Sequence, residues 1–257
     1  MEELRDKKGF VCDMDGVLYH GQRLLPGAGE FVDWLKREDK RYLFLTNSPE
    51  RTPQQLRERL ADMGVDIATE HFYTSAQATA AFMADQLPGS TAYVIGEEAL
   101  KEALRRAGLS LDDSDPDWVV VGQTESYNFH GIQRAVRLVN AGARLVATNP
   151  DITGPGMEGL VPATGSLVAP VEMSTGREAY SVGKPNPLMM RNGLKKLGCR
   201  REETAIIGDR MDTDIVAGVE SEIETVLVLS GVTSRDDLQE FTYRPGYVLE
   251  RVGDLVP

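Results

Sequence analysis

The chain has 257 residues, enough for one large domain or two smaller ones, and its 41% hydrophobic and 26% charged residues describe a globular protein rather than a disordered one. A formal charge of -12 repels polyanions, which sets DNA and long RNA aside as partners but leaves small phosphorylated metabolites open, because a local cationic pocket can outweigh the global field. No apolar run reaches the ~20 residues of a membrane span. Met1 to Lys8 is too polar for a signal peptide, and Cys12 and Cys199 form neither a CxxC pair nor a zinc pattern, so a reduced, cytoplasmic chain is expected.

Strands and helices alternate along the chain. Gly9 to Asp13 is a short apolar run ending in carboxylates. Gly27 to Glu38 carries Phe31, Trp34 and Leu35 at helical spacing, and Arg41 to Thr46 reads as a buried strand. Thr52 and Pro53 open a helix with Leu56, Leu60 and Met63 on its inner face, and Ser75 can cap a helix running toward Gln86. Leu87 to Ser90 reads as a linker. A second series follows: strands at Ala92 to Ile95, Trp118 to Val121 and Arg144 to Thr148, and helices at Glu97 to Ala107 and Gly131 to Asn140. Beyond a loop rich in Gly and Pro (Asn149 to Gly165) come strands at Tyr180 to Val182, Ala205 to Ile207, Thr225 to Leu229 and Tyr247 to Leu249, with helices at Pro187 to Leu197 and Thr213 to Val219. This alternation predicts an α/β fold built on a doubly wound, mostly parallel sheet.

Ligands of open α/β sheets bind at the carboxyl ends of the strands. Four strands are followed by polar clusters: Asp13-Met14-Asp15-Gly16, Thr46-Asn47-Ser48, Gly183-Lys184-Pro185, and Gly208-Asp209 running on to Asp214. Taken one at a time, each is ordinary. A DxD spacing recurs at Asp113/Asp115, Asp115/Asp117 and Asp212/Asp214. A lysine before proline is usually solvated, and Thr-Asn or paired acids commonly serve turns and helix starts. Taken as an ordered set they fit phosphoryl transfer, which needs a nucleophile in line with the leaving oxygen and positive charge around the equatorial oxygens. A carboxylate attacking a phosphate dianion calls for a cation between them, and Mg²⁺ suits oxygen ligands. In that scheme Asp13 and Asp209 supply metal ligands, Lys184 and Thr46 bind phosphate, and Asp15 handles the proton of the leaving oxygen and of the attacking water.

The four clusters resemble the four motifs of the haloacid dehalogenase superfamily: Asp13-Met14-Asp15-Gly16-Val17, then Thr46-Asn47, then Lys184, then Gly208-Asp209 with Asp214. Together with Phe72-Tyr73-Thr74-Ser75, Ser126-Tyr127-Asn128, Ala147-Thr148-Asn149-Pro150-Asp151 and Leu227-Val228-Leu229-Ser230-Gly231-Val232, they are most similar to the NagD-type ribonucleotide monophosphatases of subclass IIA. The resemblance implies a catalytic core at 1–81 and 181–257 with an inserted α/β cap at 82–180 that selects the substrate and closes during catalysis. It implies hydrolysis of a ribonucleoside monophosphate such as UMP with Mg²⁺ as cofactor. Asp13 would be nucleophile and metal ligand, Asp15 the acid/base with its carbonyl on the metal, and Asp209 the third ligand. Thr46, Asn47 and Lys184 would bind phosphate, and Asp214 would support the metal.

Rival readings stay open on the sequence. A phosphoglycolate or pyridoxal phosphate phosphatase shares the capped architecture, and a phospho-accepting or phosphate-binding module shares the acids, hydroxyl and lysine, although neither module needs Asp15. The G-x-G-x-x-G run from Gly154 to Gly159 lacks a following helix and is discounted as a dinucleotide site. His20, His71 and His130 are dispersed. Cys12 should face away from the site, and Tyr127 and Phe129 read as packing residues. Expected partners are small phosphorylated metabolites, with no membrane and no nucleic-acid polymer. Oligomeric state is open, a homo-oligomer included.

Overall fold

The structure is a computed structural model that describes residues 1–156 and 159–257. The chain divides into two compact units, one of residues 1–46, 53–73 and 184–257, the other of residues 47–52 and 74–183. The helix Ser75–Gln86 falls wholly in the second unit, as does the Leu87 to Ser90 turn, which joins that helix to the next strand and is not a linker between the units.

The first unit is built on a six-stranded sheet in the order Tyr247–Leu249, Glu224–Val228, Thr204–Gly208, Gly9–Cys12, Arg41–Thr46, Phe72–Thr74. The chain starts in the middle: Gly9–Cys12 pairs in parallel with Thr204–Gly208 on one side and Arg41–Thr46 on the other. Those three strands are buried apart from Arg41 at the start of one, as their near-continuous apolar sequences require in a sheet covered on both faces. The helix Ala28–Arg37 packs Phe31 and Trp34 onto Phe10, with ring centroids 6.4 and 5.5 Å from that of Phe10. The helix Pro187–Leu197 starts as its sequence dictates, with the Asn186 side chain accepting from the Leu188 N–H at 2.9 Å and Pro187 in the first turn.

The second unit holds a five-stranded parallel sheet in the order Tyr180–Ser181, Arg144–Ala147, Trp118–Val121, Thr91–Ile95, Ser110–Leu111. Its core is aliphatic: Val119, Val121, Leu138, Val139, Leu145, Val168 and Val171 cluster between sheet and helices. Two elements here depart from the sequence expectation. The Gly- and Pro-rich stretch forms an antiparallel hairpin, Thr153–Gly156 against Gly159–Pro162, and Thr164–Thr175 is a helix with Pro170 inside it. Gly154, Gly156 and Gly159 therefore lie on strands and not at a strand-to-helix turn, while Met157 and Glu158 of the same motif lie outside the described residues. Phe129, expected to pack, is exposed, whereas Tyr127 is half-buried and donates its hydroxyl to the Leu167 carbonyl at 2.5 Å. No helix among the described residues is long and apolar enough to cross a membrane.

Candidate active site

The carboxyl ends of the three central strands of the first unit carry the candidate residues. Asp13 follows Gly9–Cys12, and its N–H donates to the Ile207 carbonyl at 2.8 Å, so the ladder extends one residue past the strand and fixes the Asp13 backbone. The chain then turns back on itself. Leu18 N–H donates to the Met14 carbonyl at 2.8 Å and Gly16 N–H to the Tyr19 carbonyl at 2.8 Å, with Gly16 at φ +79°, in the left-handed region. The turn leads into a small hairpin, Tyr19–His20 against Arg23–Leu24, that the sequence did not predict. Asp15 lies in this turn, half-exposed, with Oδ1 3.7 Å from Nδ1 of His20.

Lys184 is the hub of the site. Its ammonium is buried and donates to Asp13 Oδ1 at 2.5 Å and to Asp214 Oδ1 at 2.6 Å, with the Leu45 carbonyl at 3.4 Å. Asp209 follows the strand Thr204–Gly208, and its Oδ2 accepts from the Val232 N–H at 2.7 Å. Asp214 sits in a π-helical turn, Met211–Ile215, where a regular α-helix was expected from Thr213. Both Asp214 and Ile215 donate their N–H to the Arg210 carbonyl at 3.1 Å, and the Arg210 N–H returns a bond to Asp214 Oδ2 at 3.2 Å. The wider turn aims Asp214 inward at Lys184, in keeping with the frequent use of such turns at functional positions.

Two glycines make room for the Asp209 carboxylate. A Cβ built at Gly16 or Gly231 would fall inside the van der Waals shell of that side chain, so both backbones approach it as only glycine permits. Ser230 ties these loops together by donating its hydroxyl to the Gly16 carbonyl at 2.7 Å. The contacts of Ser230 to Val232 with Gly16 and Asp209 were not part of the predicted set of site residues, although the stretch was among those that carry the family resemblance. The available signal was a Ser-Gly pair one residue beyond the strand ending at Val228, close to the strand-end position that marked the other clusters.

Oxygen atoms of Asp13, Asp209 and Asp214 lie within 4.8 Å of one another. Three carboxylates thus face one ammonium in a buried site. Burial pushes the Asp13 carboxyl well above the ordinary range; Lys184 pulls it back, and Asp214 and Asp209 push it further up. Burial, then the Asp214 charge, raise Asp209 to about 7. Lys184 goes the other way: burial disfavours its charge, but the two carboxylates more than compensate and hold it protonated. With every acid ionised the cluster would carry two uncompensated negative charges, and its hard oxygen donors match a divalent cation such as Mg²⁺.

The structure brings Asp13, Lys184, Asp209 and Asp214 together. Thr46, largely buried, ends the strand beside Asp13. Asn47 belongs to the second unit, where its Nδ2 donates to Asp151 Oδ2 at 3.0 Å. Cys12 is buried in the core beneath the site, as expected, and burial pushes its thiol up. His71 places Nδ1 3.0 Å from the Tyr42 carbonyl and stacks on the Tyr42 ring. A surface cavity of about 360 Å³ opens at the amino end of the strands, lined by Lys8, Lys40, Arg41, Cys199 and Glu203 among others. Its cations are already engaged: Lys8 with Glu203, Lys40 with the Arg5 and Lys7 carbonyls, Arg41 with the carbonyls of Leu197 and Gly198.

The haloacid dehalogenase-like hydrolase family matches residues 10–110, and the related HAD-hydrolase-like family matches residues 181–255. The chain belongs to the haloacid dehalogenase-like hydrolases, and within them to the NagD-like phosphatases of subclass IIA, enzymes that hydrolyse phosphomonoesters. Among its relatives, dihydroxyacetone phosphatase of Corynebacterium glutamicum (strain R) is 44% identical over 96% of this chain and 90% of its own length. Ribonucleotide monophosphatase NagD of Escherichia coli (strain K12) is also 44% identical, over 96% of this chain and 98% of its own. The solved structure of NagD from E. coli K-12 superposes with a TM-score of 0.91 at 43% identity, covering 96% of this chain and 98% of that one. That of 4-nitrophenylphosphatase from Thermotoga maritima reaches 0.95 at 35% identity, covering 99% and 98%.

Proposed function

We propose that the chain is a Mg²⁺-dependent phosphatase that hydrolyses a small phosphomonoester through a phospho-aspartate at Asp13. The observation that carries this reading is the buried cluster in which Lys184 bridges Asp13 and Asp214 at 2.5 and 2.6 Å, with Asp209 in the same group of carboxylates. A purely structural cluster would not be expected to leave three buried acids sharing one cation, because uncompensated buried charge is costly. Asp13, Asp209 and the Asp15 carbonyl would hold Mg²⁺, with Asp214 in support. The metal would offset the repulsion between a carboxylate nucleophile and a phosphate dianion.

The Asp13 carboxylate attacks phosphorus as the bond to the leaving oxygen breaks, and Asp15 donates a proton to that oxygen, releasing the alcohol. Asp15, now a carboxylate, then takes a proton from water. The water oxygen attacks phosphorus, the bond between phosphorus and the Asp13 oxygen breaks, and inorganic phosphate leaves with Asp13 restored. Lys184 and Thr46, with Asn47, bind the phosphoryl oxygens. The half-exposed position of Asp15 suits a group that must meet both the leaving alcohol and water.

The chemistry handles only the phosphoryl group, so we assign choice of the leaving group to the second unit. Likeness to the E. coli NagD enzyme favours a ribonucleoside monophosphate such as UMP. The equally identical C. glutamicum relative supports a second reading, a phosphorylated three-carbon compound of the dihydroxyacetone phosphate class. Ranking kcat/KM over a panel of phosphorylated metabolites separates them. Negligible turnover of UMP beside rapid turnover of a triose phosphate would overturn the first choice, and full activity of Asp13→Asn would overturn the mechanism.

A further inference from the structure

The chain passes between the units four times, first at the Thr46–Asn47 peptide and last at Gly183–Lys184. The first and last crossings each adjoin a proposed phosphate-binding side chain. In the second unit these two crossings are gripped by the same short segment. The Asn47 carbonyl accepts two bonds, from Asn149 Nδ2 at 2.8 Å and from the Ser75 hydroxyl at 2.5 Å. The Asn47 amide nitrogen donates to Asp151 at 3.0 Å, and the Asp151 N–H donates to Asn149 Oδ1 at 3.1 Å, which closes a ring of bonds between Asn47, Asn149 and Asp151. At the other crossing, Gly183 N–H donates to the Thr148 carbonyl at 2.8 Å. A Cβ at Gly183 would lie 2.7 Å from both Asn47 Oδ1 and the Thr148 carbonyl, so the two crossings are packed side by side.

We propose that Asn149 is a positioning residue for phosphate binding: it fixes the Asn47 carbonyl, and with Thr148 the register of Gly183, and so sets where Thr46 and Lys184 stand. This rests on the assignment of Thr46, Asn47 and Lys184 to the phosphate site. Ser75, Thr148 and Asn149 are at most 2% exposed, so the Asn149 amide has no water to turn to. Its orientation is dictated from both ends: Oδ1 must accept from Asp151, which leaves Nδ2 to donate, and the shortest acceptor is the Asn47 carbonyl. The Asn149 Nδ2 also lies 3.3 Å from the Thr148 and 3.2 Å from the Thr164 hydroxyl oxygens, which blocks rotation of the side chain.

The test compares Asn149→Ala and Ser75→Ala with the wild-type enzyme, measuring kcat and KM for 4-nitrophenyl phosphate, the inhibition constant of inorganic phosphate, and thermal midpoint. Loss of the positioning bond should raise the phosphate inhibition constant and KM together by about tenfold in Asn149→Ala and by a few-fold in Ser75→Ala, with a smaller change in kcat. A purely structural role would lower the melting point and the active fraction, read as kcat, while leaving the inhibition constant of the surviving enzyme unchanged, and that result would overturn the proposal. If Asn149→Ala does not fold, Ser75→Ala decides alone, and an unchanged inhibition constant there counts against positioning. Lys184→Met separates the two levels of the argument. Phosphate binding that survives this change refutes the site assignment itself, whereas phosphate binding lost in Lys184→Met but unaltered in the Asn149 and Ser75 variants refutes only the role of Asn149.

Discussion

Replacing Lys184 by Met tests the site most directly, because the lysine holds two of its acids in place. The substitution keeps the length of the apolar stem and deletes an ammonium whose side chain is 3% exposed, leaving Asp13 and Asp214 without the partner at 2.5 and 2.6 Å. Breaking a buried pair from one side costs about 3–5 kcal/mol, since the remaining charge must stay buried unpaired or take up a proton. At about 2–4 °C per kcal/mol for chains of this size, the melting transition of the first unit should fall by about 6–20 °C. Adding Asp214→Asn to the same chain removes one of the orphaned charges. The double variant should then recover part of the loss, with a coupling of about 1–3 kcal/mol. Urea or thermal unfolding of wild type, both single variants and the double variant closes the cycle, and phosphatase activity should fall at least about a hundredfold in Lys184→Met. A Lys184→Met protein within ~1 kcal/mol of wild type, or strictly additive losses, would refute the claim that this lysine neutralises the cluster.

Other outcomes follow from the same geometry. Asp13→Asn should abolish turnover without unfolding the chain, and acid-quenched wild-type enzyme should carry phosphate on Asp13 while the variant carries none. Asp209, raised to about 7, is protonated more readily in the folded than in the unfolded chain, so in metal-free protein its contribution to stability is full below about pH 4, falls as pH rises toward 7, and stays lost above. Accordingly, Asp209→Asn in a chelator at pH 8 should melt above the wild-type protein and at pH 4 should not, and Mg²⁺ should raise the wild-type melting point but not that of the variant. Gly231→Ala should weaken Mg²⁺ activation by pressing a methyl group onto the Asp209 carboxylate, and titration of activity against Mg²⁺ reads the shift.

What the sequence disclosed follows the kind of force that shapes each element. Buried strands announce themselves by apolar runs, which is why Arg41–Thr46 and Trp118–Val121 were placed to the residue; the half-buried edge strand Tyr247–Leu249 was placed by its short β-forming run. The acids at strand ends were visible because sheet topology, not local propensity, makes those positions meet. Elements held by main-chain pairing alone were not visible. The Tyr19 to Leu24 hairpin has two-residue strands, and half or more of the residues in Thr153–Gly156 and Gly159–Pro162 are glycine or proline, where strands usually carry β-branched residues. The helix Thr164–Thr175 was hidden by Pro170 and by the lack of a clear apolar stripe at helical spacing. Helix starts were displaced for a related reason. Thr74 rather than Ser75 caps Ser75–Gln86, its hydroxyl accepting from Gln77 N–H at 3.2 Å, while the Ser75 hydroxyl is drawn to the Asn47 carbonyl. The grouping of Asp13, Lys184 and Asp214 was inferred, but nothing local in the sequence signals that Asn47 is held by Asn149 and Asp151, because those bonds span about a hundred residues.

The π-helical turn at Met211–Ile215 makes the protein sensitive to length where it is tolerant of identity. Each residue of an α-helix advances the azimuth by about 100°. Deleting one residue between Arg210 and Asp214 would tighten the turn to ordinary helix and swing the carboxylate that now meets Lys184 toward a different face. Insertions and deletions in these five positions should therefore be far more damaging than exchange of the exposed Asp212, and a deletion scan read by activity would expose the difference.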